Sequence, residues 1–216
     1  KIDSLLGPGM NIHRHPLNGR NFEYVSEDPL VTGKISAAQV IGMQLSGSAP
    51  TIKHFCANNQ EVSRRFVDSI ISERALREIY LRGFEIAVKE GKARSVMTTY
   101  NPVNGIWTAG SYDLCTMILR NEWGFDGIVM TDWWAEANTE GEKSTRENKA
   151  PMVAAQNDIY MCVANSKSNP ENDNVKEKLE AGEITRSDLQ RNAKNILNFI
   201  MKSPSMLHEL GRISKE

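Results

Sequence analysis

No stretch of this sequence approaches the ~20 consecutive apolar residues that a membrane-spanning helix requires. Charge of one sign is also lacking. The 26 basic and 27 acidic residues give a formal net charge of −1, which is no electrostatic footprint for nucleic acid or an anionic membrane. Lys1-Ile2-Asp3-Ser4 has no signal-peptide character. Cysteine is scarce, and Cys56, Cys115 and Cys162 have neither metal-ligand spacing nor the even count of a disulfide framework. They read as packed, reduced thiols and so favour a reducing, cytoplasmic setting. There is no P-loop, no basic–aromatic patch and no Cys or His nucleophile constellation. His13 and His15 flank Arg14 without further ligands, so neither a metal nor a cofactor is expected.

What is present is an alternation of short apolar runs with longer amphipathic ones. Leu5 to Ile12, Thr51 to Phe55, Ser95 to Tyr100, Gly127 to Thr131 and Asp158 to Val163 are brief and bounded by Gly, Pro, Asn or Asp, the pattern of buried parallel strands. Helical patterns lie between them at Pro29 to Leu45, Glu73 to Glu90, Ser111 to Trp123 and Glu147 to Asn157. A last helix opens on Thr185-Arg186-Ser187-Asp188, which resembles a capping box. It is expected to turn Leu189, Ala193, Ile196, Leu197 and Ile200 inward and to end at Pro204.

Strand–helix alternation predicts βαβ units, a parallel sheet and an α/β fold. An open nucleotide-binding sheet would carry a Gly-rich turn between its first strand and a helix. Gly7-Pro8-Gly9 instead lies inside the first strand run and leads into Met10-Asn11-Ile12. The better match is a (β/α)8 TIM barrel. Because such a barrel takes about 250 residues and eight strands, the expectation is a partial barrel of about five βα units.

Catalytic groups of a barrel sit at the C-terminal ends of its strands. Those positions hold His13, Arg14, His15 and Arg20, then Lys53, His54, Asn58 and Asn59, then Tyr100 and Asn101, and finally Asp132, Trp133 and Trp134. A carboxylate beside two indoles, with cationic and amide donors around it, suits a sugar. Aromatic faces pack on its C–H surface while the polar groups fix its hydroxyls. Each residue also has a plainer explanation. Asp132 is in a position to cap a helix, Arg20 to pair with Glu23 or Glu27, and Lys53 and His54 to be a buried ion pair and a satisfied core histidine. Lys53 as a Schiff-base lysine is another reading of the same barrel end.

Longer strings narrow this range. Gly7-Pro8-Gly9-Met10-Asn11-Ile12, Gly19-Arg20-Asn21-Phe22-Glu23-Tyr24, Ser26-Glu27-Asp28-Pro29, Lys53-His54-Phe55 with Asn58-Asn59, Leu119-Arg120-Asn121-Glu122-Trp123-Gly124-Phe125 and Val129-Met130-Thr131-Asp132-Trp133 occur in order. Together they resemble the barrel of glycoside hydrolase family 3. The resemblance implies a retaining β-glucosidase-type enzyme acting on terminal β-linked glucose or xylose. Asp132 would be the nucleophile, Arg20, Lys53 and His54 would hold sugar hydroxyls, and Tyr100, Met130 and Trp133 would shape the subsite. The stretch Lys53 to Asn59 lacks the second His of the family's N-acetylglucosaminidase branch, which favours the glucosidase/xylosidase branch.

The resemblance also implies partners: earlier barrel strands, and an α/β sandwich domain that carries the acid/base carboxylate. No residue of this chain matches that carboxylate. Glu61, Glu136 and Glu140 are available but lack supporting context. The expectation is a fragment of a longer enzyme, possessing the barrel's later units over residues 1–204 and a surface tail over 205–216. Its C-terminal run resembles the close of a family member in which the sandwich precedes the barrel. Such a fragment is expected to be inactive alone and to associate with a second copy through its open strand edges. A non-catalytic carbohydrate-binding or scaffolding remnant is the competing reading.

Overall fold

The computed structural model describes residues 2–162, 165 and 167–213. Four strands, β1 (Ser4–Leu5), β2 (Ala49–Phe55), β3 (Ser95–Thr98) and β6 (Ile128–Met130), pair in parallel in the order β1-β2-β3-β6. Each strand therefore lies beside its neighbour in sequence, as in consecutive units of a (β/α)8 barrel. The hairpin β4 (Pro102–Val103) and β5 (Ile106–Trp107) stands apart from this sheet. Its Asn104-Gly105 turn has φ of 51° and 86°, a conformation that these two residue types tolerate best.

The first expected strand is much shorter than Leu5 to Ile12. Pro8 has no N–H for the ladder, so pairing stops after Leu5 and resumes only at a Gly9–Lys53 bridge. There Lys53 N donates to Pro8 O at 3.1 Å and Met10 N to Lys53 O at 2.7 Å. The fifth expected strand is reduced to a bridge between Met130 and Ile159, supported by Thr131 N donating to Ile159 O at 2.9 Å. Val163, where that strand was expected to end, lies outside the described residues.

Helices cover the outer face. Helix α1 (Pro29–Leu45) starts on an Asp28 cap whose carboxylate accepts from Val31 N at 2.8 Å, with Pro29 in the first turn. The next run begins as α2 (Glu73–Ala75), passes through a π-helical segment Leu76–Tyr80 and continues as α3 (Arg82–Lys89). The Ser111 to Trp123 pattern forms a π-helical segment Asp113–Glu122, with Ser111 Oγ accepting from Leu114 N. Phe55 and Phe84 pack edge to face at 5.3 Å between sheet and helices, among Ile52, Val96, Val129, Leu81 and Leu119. Burying each such side chain contributes about 1.5–3 kcal/mol, and this layer fixes the strand ends that matter below. Cys56 and Cys115 belong to the same layer as free thiols, and burial pushes both of their pKa values up.

The later helices are α4 (Ala150–Ala154), α5 (Val175–Glu180), α6 (Arg186–Met201) and α7 (Pro204–Glu209). The Thr185/Asp188 capping box of α6 is present in full. Its expected inward stripe is not. Leu189 and Ile196 are half-buried, but Ala193, Leu197 and Ile200 are exposed, while Asn192 turns toward α4, and Asn195 and Phe199 turn toward the sheet. Asn192 donates to Val153 O, Asn195 reaches Asp158, and Phe199 joins the inner-face cluster of Met97, Ile128 and Met130. Polar anchors thus override the apolar periodicity. Pro204 ends α6 and opens α7, whose Ser205 bonds Asp3 at 2.7 Å.

Candidate active site

Asp132 follows β6 by two residues and is 7% exposed. Its Oδ1 accepts from Trp133 N at 2.8 Å, and its Oδ2 lies 3.8 Å from His54 Nε2. The next helix begins at Ala150, so Asp132 caps nothing. Burial raises its pKa above the ordinary carboxylate value. The Trp133 amide, the Tyr100 hydroxyl and the charges of Arg20 and Arg64 oppose that rise.

His54 arrives from β2, where the register shifts between Ile52 and Phe55. Strict alternation breaks there, and Lys53 and His54 both reach polar partners. Burial, then Arg20, Lys53 and Arg64, hold the His54 pKa well below the usual histidine range, so the ring is neutral. Tyr24 OH stands 3.2 Å from its Nδ1 and receives Asn58 Nδ2 at 2.8 Å.

Glu23 organises the cations. Its Oε2 takes Arg20 Nε at 2.7 Å and its Oε1 takes Lys53 Nζ at 3.0 Å. Burial alone would raise the Glu23 pKa; the bonds from Lys53 and Arg20 outweigh it and hold the carboxyl ionised. Of the plainer readings, Arg20 does pair with Glu23, and Lys53 joins the same carboxylate. One carboxylate thus holds both cations in a fixed arrangement.

Tyr100 follows β3, and the guanidinium groups of Arg64 and Arg65 lie 4.9 and 4.6 Å from its ring centroid. Trp133 packs with Met130, Met97 and Ile128 on the strand face beneath Asp132. Trp134 is partly exposed, with Arg65 reaching its carbonyl at 3.5 Å. A recess of 550 Å³ runs between residues 14–19 and Asn59–Val62, with Glu61 on its wall.

Arg20, Lys53, His54, Tyr100 and Asp132 are therefore linked through shared neighbours. His13, Arg14 and His15 stay outside that set: Arg14 lies over Tyr80, and His15 Nδ1 accepts from Leu17 N. Glu61 is held by Arg64 at 2.7 Å and Glu136 by Ser144 at 2.6 Å. Sequence reasoning missed Arg64 altogether, treated Glu23 only as an ion-pair partner and gave Tyr24 no role. The Arg20–Glu23 spacing carried a signal for Glu23. Arg64 lies in a loop without periodicity. Among the described residues no group of three or more His, Cys, Asp or Glu is arranged to hold a metal ion.

Comparison with known proteins identifies the surroundings of this cluster. Residues 1–199 match the glycosyl hydrolase family 3 N-terminal domain. A β-glucosidase of Ruminococcus albus is 62% identical over 211 residues, 98% of this chain and 22% of that protein. An exo-α-(1→6)-L-arabinopyranosidase of Bifidobacterium breve is 39% identical over 94% of this chain and 25% of its own length. The crystal structure of a β-glucosidase from Paenibacillus barengoltzii superimposes with a TM-score of 0.94 at 57% identity, covering 96% of this chain and 23% of that one. β-Glucosidase 3B from Thermotoga neapolitana, solved with glucose, gives 0.85 at 44% identity over 99% of this chain and 29% of that one. The chain thus spans about a quarter of the length of these relatives. By sequence, by fold and by the α/β arrangement of consecutive parallel strands, it belongs to glycosyl hydrolase family 3, within the N-terminal barrel domain.

Proposed function

We propose that this chain is the nucleophile-bearing part of a retaining β-glucosidase-type glycosidase. Asp132 attacks the anomeric carbon of a terminal β-linked glucose or xylose and forms a glycosyl-enzyme intermediate, which water then hydrolyses. The observation that carries this reading is the buried, neutral His54 only 3.8 Å from Asp132, with Arg20 and Arg64 lowering the Asp132 pKa against burial. Cationic and neutral donors then surround one carboxylate, the environment that holds hydroxyls and keeps a nucleophile ionised. Arg20, Lys53 and His54 bind the sugar hydroxyls; Tyr100, Met130 and Trp133 form the walls. β-Glucosidase names among the relatives support the substrate class.

Retention needs a second carboxyl group as acid/base. Glu23 and Glu61 are both committed to cations, which supports a proton donor supplied by another domain. Leu17, Phe22, Val62 and Phe66 stand exposed on the loops beside the site, a surface such a domain would cover. Without the donor the barrel portion is expected to be nearly inert, since general acid assistance contributes about 10²–10⁴-fold. The test is turnover of an aryl β-glucoside by the complete polypeptide that contains these residues, followed by NMR. Release of the β-anomer first, lost in Asp132→Asn, supports the proposal. Release of the α-anomer, or unchanged turnover in Asp132→Asn, contradicts it.

A further inference from the structure

Four side chains leading to His54 form a hydrogen-bond chain whose direction is fixed at its far end. Arg64 NH1 donates to Glu61 Oε2 at 2.7 Å, which keeps that carboxylate an acceptor. The atom of Asn58 facing Glu61 Oε1 at 3.2 Å must then be the amide nitrogen, because two acceptors would repel. The same nitrogen lies 2.8 Å from Tyr24 OH and donates its second hydrogen there. With Asn58 donating to it, Tyr24 has one proton to place, and His54 Nδ1 is 3.2 Å away. Tyr24 is 5% exposed and His54 2% exposed, so the ring nitrogen has little access to water as an alternative partner.

We propose that Asn58 and Tyr24 are positioning residues that set the tautomer of His54: Tyr24 donates to Nδ1, and Nε2 carries the proton toward Asp132. The proposal rests on the reading of His54 as a sugar-binding donor. Only this tautomer offers an N–H to a substrate hydroxyl beside the nucleophile. The other would aim a lone pair at Asp132 Oδ2, 3.8 Å away.

Histidine 15N NMR of the complete polypeptide tests this, with the His54 signals assigned by their loss in His54→Gln. The unaltered protein is expected to show an unprotonated Nδ1 and a protonated Nε2. Tyr24→Phe removes the donor, so the Nδ1–H form should grow in, and kcat/KM for an aryl β-glucoside should fall roughly tenfold. Asn58→Leu removes the hydrogen bond that commits the Tyr24 hydroxyl to donating. The Tyr24 oxygen is then free to accept from His54, and the Nδ1–H share should rise. A protonated Nδ1 in the unaltered protein, or an Nε2–H form that survives both substitutions, overturns the proposal. The NMR measurement needs no substrate, so it decides the proton chain even if the protein cleaves no glucoside.

Discussion

A Cβ on Gly9 would lie 2.7 Å from Cγ of Glu23, so the bare backbone after the first strand leaves room for the carboxylate that braces the next one. Glu23 spans Arg20 and Lys53, at 2.7 and 3.0 Å, and fixes the separation of two cations that would otherwise repel. Charge-assisted hydrogen bonds are worth about 1.5–3 kcal/mol each. Glu23→Gln should therefore raise KM for an aryl β-glucoside by roughly ten- to a hundredfold with a smaller change in kcat, and Gly9→Ala should act in the same direction by displacing the carboxylate. Steady-state kinetics on the complete polypeptide checks both. An unchanged KM in Glu23→Gln would mean that the brace is not needed for binding.

The pH dependence has a definite sign. As the proposed nucleophile Asp132 has to be ionised, and burial raises its pKa, so the acid limb of kcat/KM should lie above the ordinary aspartate value. Arg64 lowers the Asp132 pKa; Arg64→Ala should move the limb to higher pH. His54 stays neutral well below the usual histidine range and should add no limb near pH 6–7. Profiles of the two proteins over pH 4–8 make the comparison.

Behind β6, Arg120 and Asp158 form an ion pair at 2.7 Å with almost no solvent access. Asp158 also receives Val129 N and Asn195 Nδ2, tying β6 to α6. Asp158→Ala strands the Arg120 charge and should cost about 3–5 kcal/mol of unfolding free energy, read from urea titrations. Burial, opposed by Arg120, pushes the Asp158 pKa up to about 6. The folded state then holds the proton where the unfolded chain releases it. The contribution of this group is full below the ordinary aspartate pKa and is lost as pH rises through about 6. Removing Asp158 should flatten the fall in stability between about pH 4 and pH 6.

Much of this was legible in the sequence because it is local. Asp28 before Pro29 caps α1, and Thr185 with Asp188 boxes the start of α6; both signals lie within four residues. The strand-end positions of Tyr100 and Asp132 follow from short apolar runs with a chemically rich residue after each, while Lys53 and His54 lie in the last residues of β2 itself. The unread features depend on distant chain. Arg64 reaches the Tyr100 ring only through the path of its loop, and α6 turns because Asn192 and Asn195 find partners on Val153 and Asp158. The π-helical segments carry the same apolar spacing as an α-helix and differ only in backbone bonding.

Apolar residues remain uncovered at both ends of the sheet. Ile2, Leu5 and Leu6 lie at the β1 edge, and Leu197, Ile200 and Met201 lie on α6. Residues 1–216 expressed alone should therefore self-associate, as unpaired edges and apolar patches do. Light scattering that shows a single monomeric species up to high concentration would contradict this.

The central claim is that Asp132 is the nucleophile. The direct measurement is to incubate the complete polypeptide with an activated 2-deoxy-2-fluoro-β-glucoside and map the labelled peptide by mass spectrometry. The account predicts one equivalent of fluoroglucosyl ester on Asp132 within Val129-Met130-Thr131-Asp132-Trp133, absent in Asp132→Asn. A label on another carboxylate, or turnover that leaves Asp132 unmodified, would contradict it.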